Sequence, residues 1–251
     1  MAKLIVLGSS NAIADVNHEN THLALIGEER TILVDCVNNP ILRLRHIGVD
    51  CNDLTDLILT HFHPDHVSGV PLLLMNLWLL GRQKLLNIYG LRHTLDRLEE
   101  MMDLYDWSDW PNFFSVNFHP LRSEEKVLVL ESKEFRISAS PVKHLQPTIG
   151  LRIESPQSGK TIAYSCDTEP CPQVVGLASG VDLLIHEASG SFKGHTSASQ
   201  AGEIALEAGA GALCLIHYPT GNYNYHELVA QAGKVFKGEV FMAEDFMELE
   251  F

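Results

Sequence analysis

The run Thr60-His61-Phe62-His63-Pro64-Asp65-His66, which directly follows a short apolar stretch at 56–59, constrains the fold of this chain more than any other feature. Four metal-ligand side chains, His61, His63, Asp65 and His66, fall within it. Alternate residues of an extended segment point the same way, so His61 and His63 can share one ion. Asp65 and His66 stand where the chain turns into a helix expected over 67–80, and can face a second ion. Histidines that only cap a strand or a helix would not require four donors in this order.

Around this run the chain alternates strands and helices. Short β-rich runs are expected at 4–7, 22–26, 31–36 and 57–59, then the 67–80 helix, a strand at 87–89 and a helix from 91 to about 105. An aromatic loop at 106–111 leads to strands near 113–118, 126–130, 134–140, 149–154 and 161–165, with the Ser/Pro/Gly cluster 155–159 as a hairpin turn. The second half runs strand 182–186, helix 197–208, strand 212–216, helix 223–235 and two closing strands within 239–250. Strands grouped early in each half, with helices later, predict an α/β protein of the αββα type: two mixed β-sheets face to face, flanked by helices. No repeat or linker divides the sequence, so a single domain over 1–251 is expected.

Composition narrows the class. With 251 residues, 45% hydrophobic and 20% charged, the chain can bury a core unaided. The longest apolar stretch, 70–80, is broken by Asn76 and is too short to span a bilayer, and the first eight residues do not form a secretory signal, so a cytoplasmic location without membrane partners is expected. Cys36, Cys51, Cys166, Cys171 and Cys214 are odd in number and include no CxxC pair, which argues for buried thiols over disulfides or a zinc knuckle. A formal charge of −14 repels polyanions, so a small-molecule substrate is expected rather than a nucleic acid. Two divalent ions would reverse the local field and admit an anionic substrate.

His144, Asp167 and His217 each follow an expected strand. One such residue alone is more often structural, but with the 61–66 cluster they complete a donor set. Imidazole and carboxylate donors without thiolates suit two divalent metal ions, Zn first and Mn or Fe as alternatives, and Lewis-acid hydrolysis over redox chemistry. The HxHxDH run followed in order by His144, Asp167 and His217 resembles the metallo-β-lactamase superfamily over almost the entire chain. That resemblance implies one ion held by His61, His63 and His144, another by Asp65, His66 and His217, and Asp167 bridging. It also matches Asp35 to an early aspartate that orients ligand histidines, although a turn aspartate reads equally well.

His186-Glu187-Ala188, followed by the 194–202 segment Gly-His-Thr-Ser-Ala-Ser-Gln-Ala-Gly, resembles the ribonuclease Z-like and phosphodiesterase branch. There the residue matching His195 is a proton donor to the leaving group, oriented by the one matching Glu187. Capping of the 197–208 helix by Thr196 or Ser197 is compatible with that role. Only residues 145–166 separate His144 from Asp167, which leaves no room for the long arm of tRNA 3′-end nucleases. The expected activity is hydrolysis of a phosphodiester or cyclic phosphodiester of a small molecule by a dinuclear metal-activated hydroxide, with Asp65 as a candidate proton acceptor. The alternatives are a carboxylic ester, thioester or sulfate hydrolase, a tRNA 3′-end endonuclease, and a non-catalytic metal sensor. The aromatic segment 107–114 and the turn 218–223 are candidates to cover the cleft, with core or interface as the other reading of the aromatics. The all-round apolar 67–80 helix implies deep burial or a homodimer.

Overall fold

In the computed structural model, which describes residues 2–221 and 224–250, the first strand already reveals the layering. Strand β1 (Lys3–Gly8) sends Leu4 and Val6 into one apolar cluster and Ile5 and Leu7 into another. A strand covered on both faces needs an apolar layer on each side. The first cluster lies between two sheets, where Leu4, Val6, Ile32 and Val34 meet Phe135, Ile137, Leu151 and Tyr164. Two outer clusters seat the helices on the far face of each sheet.

The elements follow as β2 (His22–Ile26), β3 (Thr31–Val34), α1 (Pro40–His46), β4 (Asp56–Ile58), α2 (Pro64–Val67), α3 (Val70–Leu79), β5 (Leu86–Leu91), α4 (Arg92–Asp103) and β6 (Val116–Leu121). The second half comprises β7 (Val127–Glu131), β8 (Arg136–Val142), β9 (Thr148–Glu154), β10 (Thr161–Tyr164), α5 (Pro172–Leu177), β11 (Leu183–Glu187), α6 (Ala198–Ala208), β12 (Ala212–Ile216), α7 (Tyr225–Gly233), β13 (Glu239–Met242) and β14 (Glu248–Glu250). Among the described residues they form two seven-stranded sheets, β14-β1-β2-β3-β4-β5-β6 and β13-β12-β11-β10-β9-β8-β7. Each has three antiparallel pairings at one end, from β14 to β3 and from β7 to β10, and three parallel ones at the other. The expected αββα sandwich of two mixed sheets is therefore the observed architecture, and the halves repeat in topology without a visible sequence repeat.

Several expectations need correction. The 67–80 helix is two helices, α2 and α3, because a side chain at Gly69 would strike the Val37 backbone at 2.6 Å, and Pro71 opens the second helix. Helix α3 buries Val70, Leu73, Leu74 and Leu77, while Leu79 on its other side is exposed. The short helices α1 and α5 were not anticipated. The strand expected at 113–118 lies at Val116–Leu121, and the first part of that segment packs as a loop. Trp110 of this loop stacks on Trp78 of α3 at 4.9 Å, and Phe114 is buried, so the aromatic segment extends the core beneath the first sheet. Residues 222 and 223, within the expected turn and helix, lie outside the described set, and α7 is described from Tyr225. Residues 145–166 form only the β9–β10 hairpin and its approach. No helix among the described residues is long and apolar enough to cross a membrane.

The topology aims chemistry at one edge. The chain leaves β3 at Asp35, β4 at the histidine run, β10 at Asp167, β11 at Glu187 and β12 at His217. Asp35, Cys166 and His217 there carry left-handed φ values of 61°, 54° and 53°. For residues other than glycine this conformation costs on the order of 1–3 kcal/mol and gathers at functional sites.

Candidate metal centre

Seven donors converge at this edge. His61 Nε2 lies 2.9 Å from His63 Nδ1, and His144 Nε2 lies 3.1 Å from the same atom. Asp167 Oδ2 is 3.9 Å from His61 Nε2, 3.8 Å from His144 Nε2 and 3.3 Å from His217 Nε2, while Oδ1 is 3.5 Å from His66 Nε2. Asp65 Oδ2 completes a second group, 3.7 Å from His66 Nε2 and 4.0 Å from His217 Nε2. The structure thus brings all seven sequence-derived donors together, in two overlapping groups that meet at Asp167.

The outward nitrogens explain why the inward ones are free. His61 Nδ1 faces Thr60 Oγ1 at 3.1 Å, His144 Nδ1 faces the Gly194 carbonyl at 2.7 Å, His66 Nδ1 faces Asp35 Oδ2 at 2.7 Å, and His217 Nδ1 faces Thr21 Oγ1 at 3.1 Å. Each partner can accept a proton, which leaves a bare Nε2 lone pair pointing inward. Three ring nitrogens, of His61, His63 and His144, meet about 3 Å apart, as they would around a shared cation. Nitrogens bound to one tetrahedral Zn at about 2.0–2.1 Å stand about 3.3–3.4 Å apart, close to the spacing seen here. His66 Nε2 and Asp167 Oδ1 are buried without a hydrogen-bond partner, as donors to a cation would be. The cluster therefore fits a divalent metal ion.

Electrostatics agree. Burial, with neighbouring imidazoles, holds His61 well below the usual histidine range, and burial also lowers His63 and His144. Burial alone would raise the Asp167 carboxyl, yet the facing His217 and His66 hold it well below the usual carboxylate range. His66 moves up despite burial, because Asp167 and Asp35 flank it. Neutral imidazoles at His61, His63 and His144 and an ionised Asp167 are the ligand forms a cation needs, whereas a cation binding at His66 has to displace a proton that its two carboxylate neighbours favour.

Asp35 is fully buried and accepts from the Thr60 backbone N–H at 2.8 Å, the Thr60 hydroxyl and His66. That geometry is of a carboxylate orienting the histidine run rather than of a turn aspartate. Thr60, Thr21 and Gly194 escaped sequence reasoning, since nothing in their identity signals a partner as far away as the 196 positions between Thr21 and His217.

Glu187 and His195 form a second constellation. His195 Nδ1 is 3.0 Å from Glu187 Oε1, and Glu187 also accepts from the backbone N–H groups of Thr168, Ser189 and Thr196 at 3.1, 2.9 and 3.2 Å. Burial raises the Glu187 carboxyl, with His195 opposing, while His195 rises against its own burial because Glu187 sits beside it. The His195 ring also comes within 4.8 Å of ligand atoms of Asp167 and His217. Ser197 caps α6 through a capping box, as expected for this segment.

A family model described as the β-lactamase superfamily domain matches residues 30–218, most of the chain. The chain belongs to the β-lactamase superfamily. Within it, the chain is 27% identical to the ribonuclease Z of Methanothermobacter thermautotrophicus over 83% of its own length and 84% of the relative's. Its fold is similar to that of the metallo-β-lactamase fold protein YhfI from Bacillus subtilis, with a TM-score of 0.84, 24% identity and coverage of 100% and 99%. It is also similar to a diphosphatase of the PhnP family, with a TM-score of 0.78, 18% identity and coverage of 100% and 98%. The chain is thus a ribonuclease Z-like enzyme, a metal-dependent hydrolase. Relatives named ribonuclease Z run against the expectation of a small-molecule substrate rather than a nucleic acid.

Proposed function

We propose that the protein hydrolyses a phosphodiester or cyclic phosphodiester of a small molecule at two divalent metal ions, Zn first. His61, His63 and His144 would hold one ion, Asp65, His66 and His217 the other, and Asp167 both. Such ions supply Lewis acidity and lower the pKa of water to about 7. Asp65, partly exposed, would serve as a candidate proton acceptor as well as a ligand.

The observation that carries this reading is the Glu187–His195 pair. Glu187 fixes the His195 tautomer and favours its protonated form, so a proton stands ready for a departing alkoxide beside the donor cluster. A metal sensor has no use for that pair. The reading of His195 as a further ligand would make its removal lower the metal content.

RNA is the second reading, favoured by the name of the methanogen relative. Against it stand the formal charge of −14 and the plain β9–β10 hairpin where an RNA-gripping arm would sit. The test is turnover by Zn- or Mn-loaded protein of a chromogenic phosphodiester beside a carboxylic ester, a thioester, a β-lactam and a short RNA. His195→Ala is expected to lose on the order of 10² to 10⁴ in phosphodiester turnover while keeping its metal. Preferential cleavage of an ester or thioester, or no turnover with the metal bound, would overturn the reading.

A further inference from the structure

The peptide of Gly194, the residue before the candidate proton donor, is held from both sides. Its carbonyl faces His144 Nδ1 at 2.7 Å, and its N–H donates to Glu169 Oε1 at 3.0 Å. Gly194 adopts a φ of 89°, and a Cβ there would lie 3.1 Å from His144 Nδ1 and 2.9 Å from Leu145 Cγ, so glycine lets the loop come this close to the ligand ring. The other oxygen of Glu169 is 2.6 Å from Lys143 Nζ.

Glu169 stands on a fixed frame. Its N–H donates to the Lys143 carbonyl at 2.7 Å, the Lys143 N–H donates to Thr168 Oγ1 at 3.2 Å, and the Thr196 hydroxyl donates to the Thr168 carbonyl. One arm of that frame runs on from Asp167 and the other leads into His144, so the carboxylate is anchored to the donor cluster itself. Glu187 settles the tautomer of the His195 ring and ties the loop at its two ends, Ser189 and Thr196. Between those ends Ser191, Phe192 and Lys193 are exposed, and Gly194 is buried where the loop is tied back beside the ligands. A partly exposed ion pair adds little to stability, so the Lys143–Glu169 pair supplies placement instead.

We propose that Glu169, steadied by Lys143, is a positioning residue for proton transfer: it holds the Gly194 peptide against His144 and thereby sets His195 where its proton reaches the departing oxygen. The inference rests on the hydrolase reading and deepens it. As the bond from phosphorus to the leaving oxygen breaks, that oxygen keeps the electron pair and takes the proton from His195, which is left neutral. An aliphatic alkoxide leaves poorly without that proton, whereas 4-nitrophenolate does not need it. A displaced His195 therefore slows the first kind of substrate and spares the second.

The test compares Glu169→Ala and Glu169→Gln with wild type, all saturated with Zn, on bis(4-nitrophenyl) phosphate and on 2′,3′-cyclic adenosine monophosphate, whose leaving group is an alkoxide. Glu169→Ala is expected to lose on the order of 10- to 100-fold in kcat on the cyclic diester and less than about threefold on the nitrophenyl one. Glu169→Gln keeps an oxygen for the Gly194 N–H and should recover most of the loss. Hydrogen exchange of the Gly194 amide, followed by NMR in Zn-loaded protein, needs no turnover. It should be faster on the order of tenfold or more in Glu169→Ala, and close to wild type in Glu169→Gln. Equal losses on the two diesters, no recovery in Glu169→Gln, or unchanged Gly194 exchange in Glu169→Ala overturns the assignment. Turnover of neither diester by the wild type would count against the hydrolase reading alone, and the exchange rates then decide whether Glu169 holds the loop.

Discussion

At the scale of single residues, the centre is organised by what stands behind the donors. Asp35 is the clearest case: it adopts a left-handed backbone, gives up solvent entirely and spends its carboxylate on Thr60 and His66. Asn shares the tolerance for that φ and keeps one acceptor oxygen, so Asp35→Asn isolates the charge from the fold. The variant is expected to bind metal 10- to 100-fold more weakly, read by competition with a chromogenic chelator. An unchanged affinity would reduce Asp35 to a turn residue. The donors themselves were legible in the sequence because four of them crowd into one run, which gave meaning to His144, Asp167 and His217. Their supports were not legible, because a threonine hydroxyl or a glycine carbonyl becomes a partner only when the fold delivers it.

Among elements, strands were easier to read than helix boundaries. Continuous apolar runs marked β1, β2 and β12 to within a residue or two, since a strand buried on both faces reads as apolar at nearly every position. The helices α1 and α5, of seven and six residues, are too short to display a helical period. The break between α2 and α3 depends on the approach of Gly69 to the Val37 backbone, a contact across 32 positions that no local pattern reports. Gly69 N–H also donates to the Cys36 carbonyl, and Cys36 N–H to that of His66, so this crossing braces the ligand helix from behind. Gly69→Ala is expected to destabilise the protein by about 1–3 kcal/mol, measured by denaturant unfolding, because backbone cannot yield as a side chain would. A stability equal to wild type would show that the crossing can open at no cost.

For the molecule as a whole, pH stability is set by histidines well apart from one another. His22 in the first sheet and His186 in the second are fully buried, each with Nε2 unpartnered, and burial pushes both down to about 4. Above pH 6.5 both folded and unfolded forms are neutral. Between 6.5 and about 4 the unfolded chain takes up protons that the folded chain refuses, so stability falls with pH by up to about 1.4 kcal/mol per unit for each histidine. Unfolding of metal-free protein at pH 7 and pH 5 should show that loss, and His186→Leu should flatten the slope. An identical slope in the variant would mean that His186 takes up its proton without unfolding. The doubled pattern of three antiparallel and three parallel pairings also governs how the chain is closed. Strand β1 is flanked on one side by β2, its near neighbour in sequence, and on the other by β14, through pairings such as Lys3 with Glu250. During translation β1 therefore waits beside β2 with its other edge of backbone N–H and C=O groups unpaired until β14 has been made. A ribosome that stalls before β14 is made would hold a nearly complete sandwich whose β1 edge is free to pair with another nascent chain.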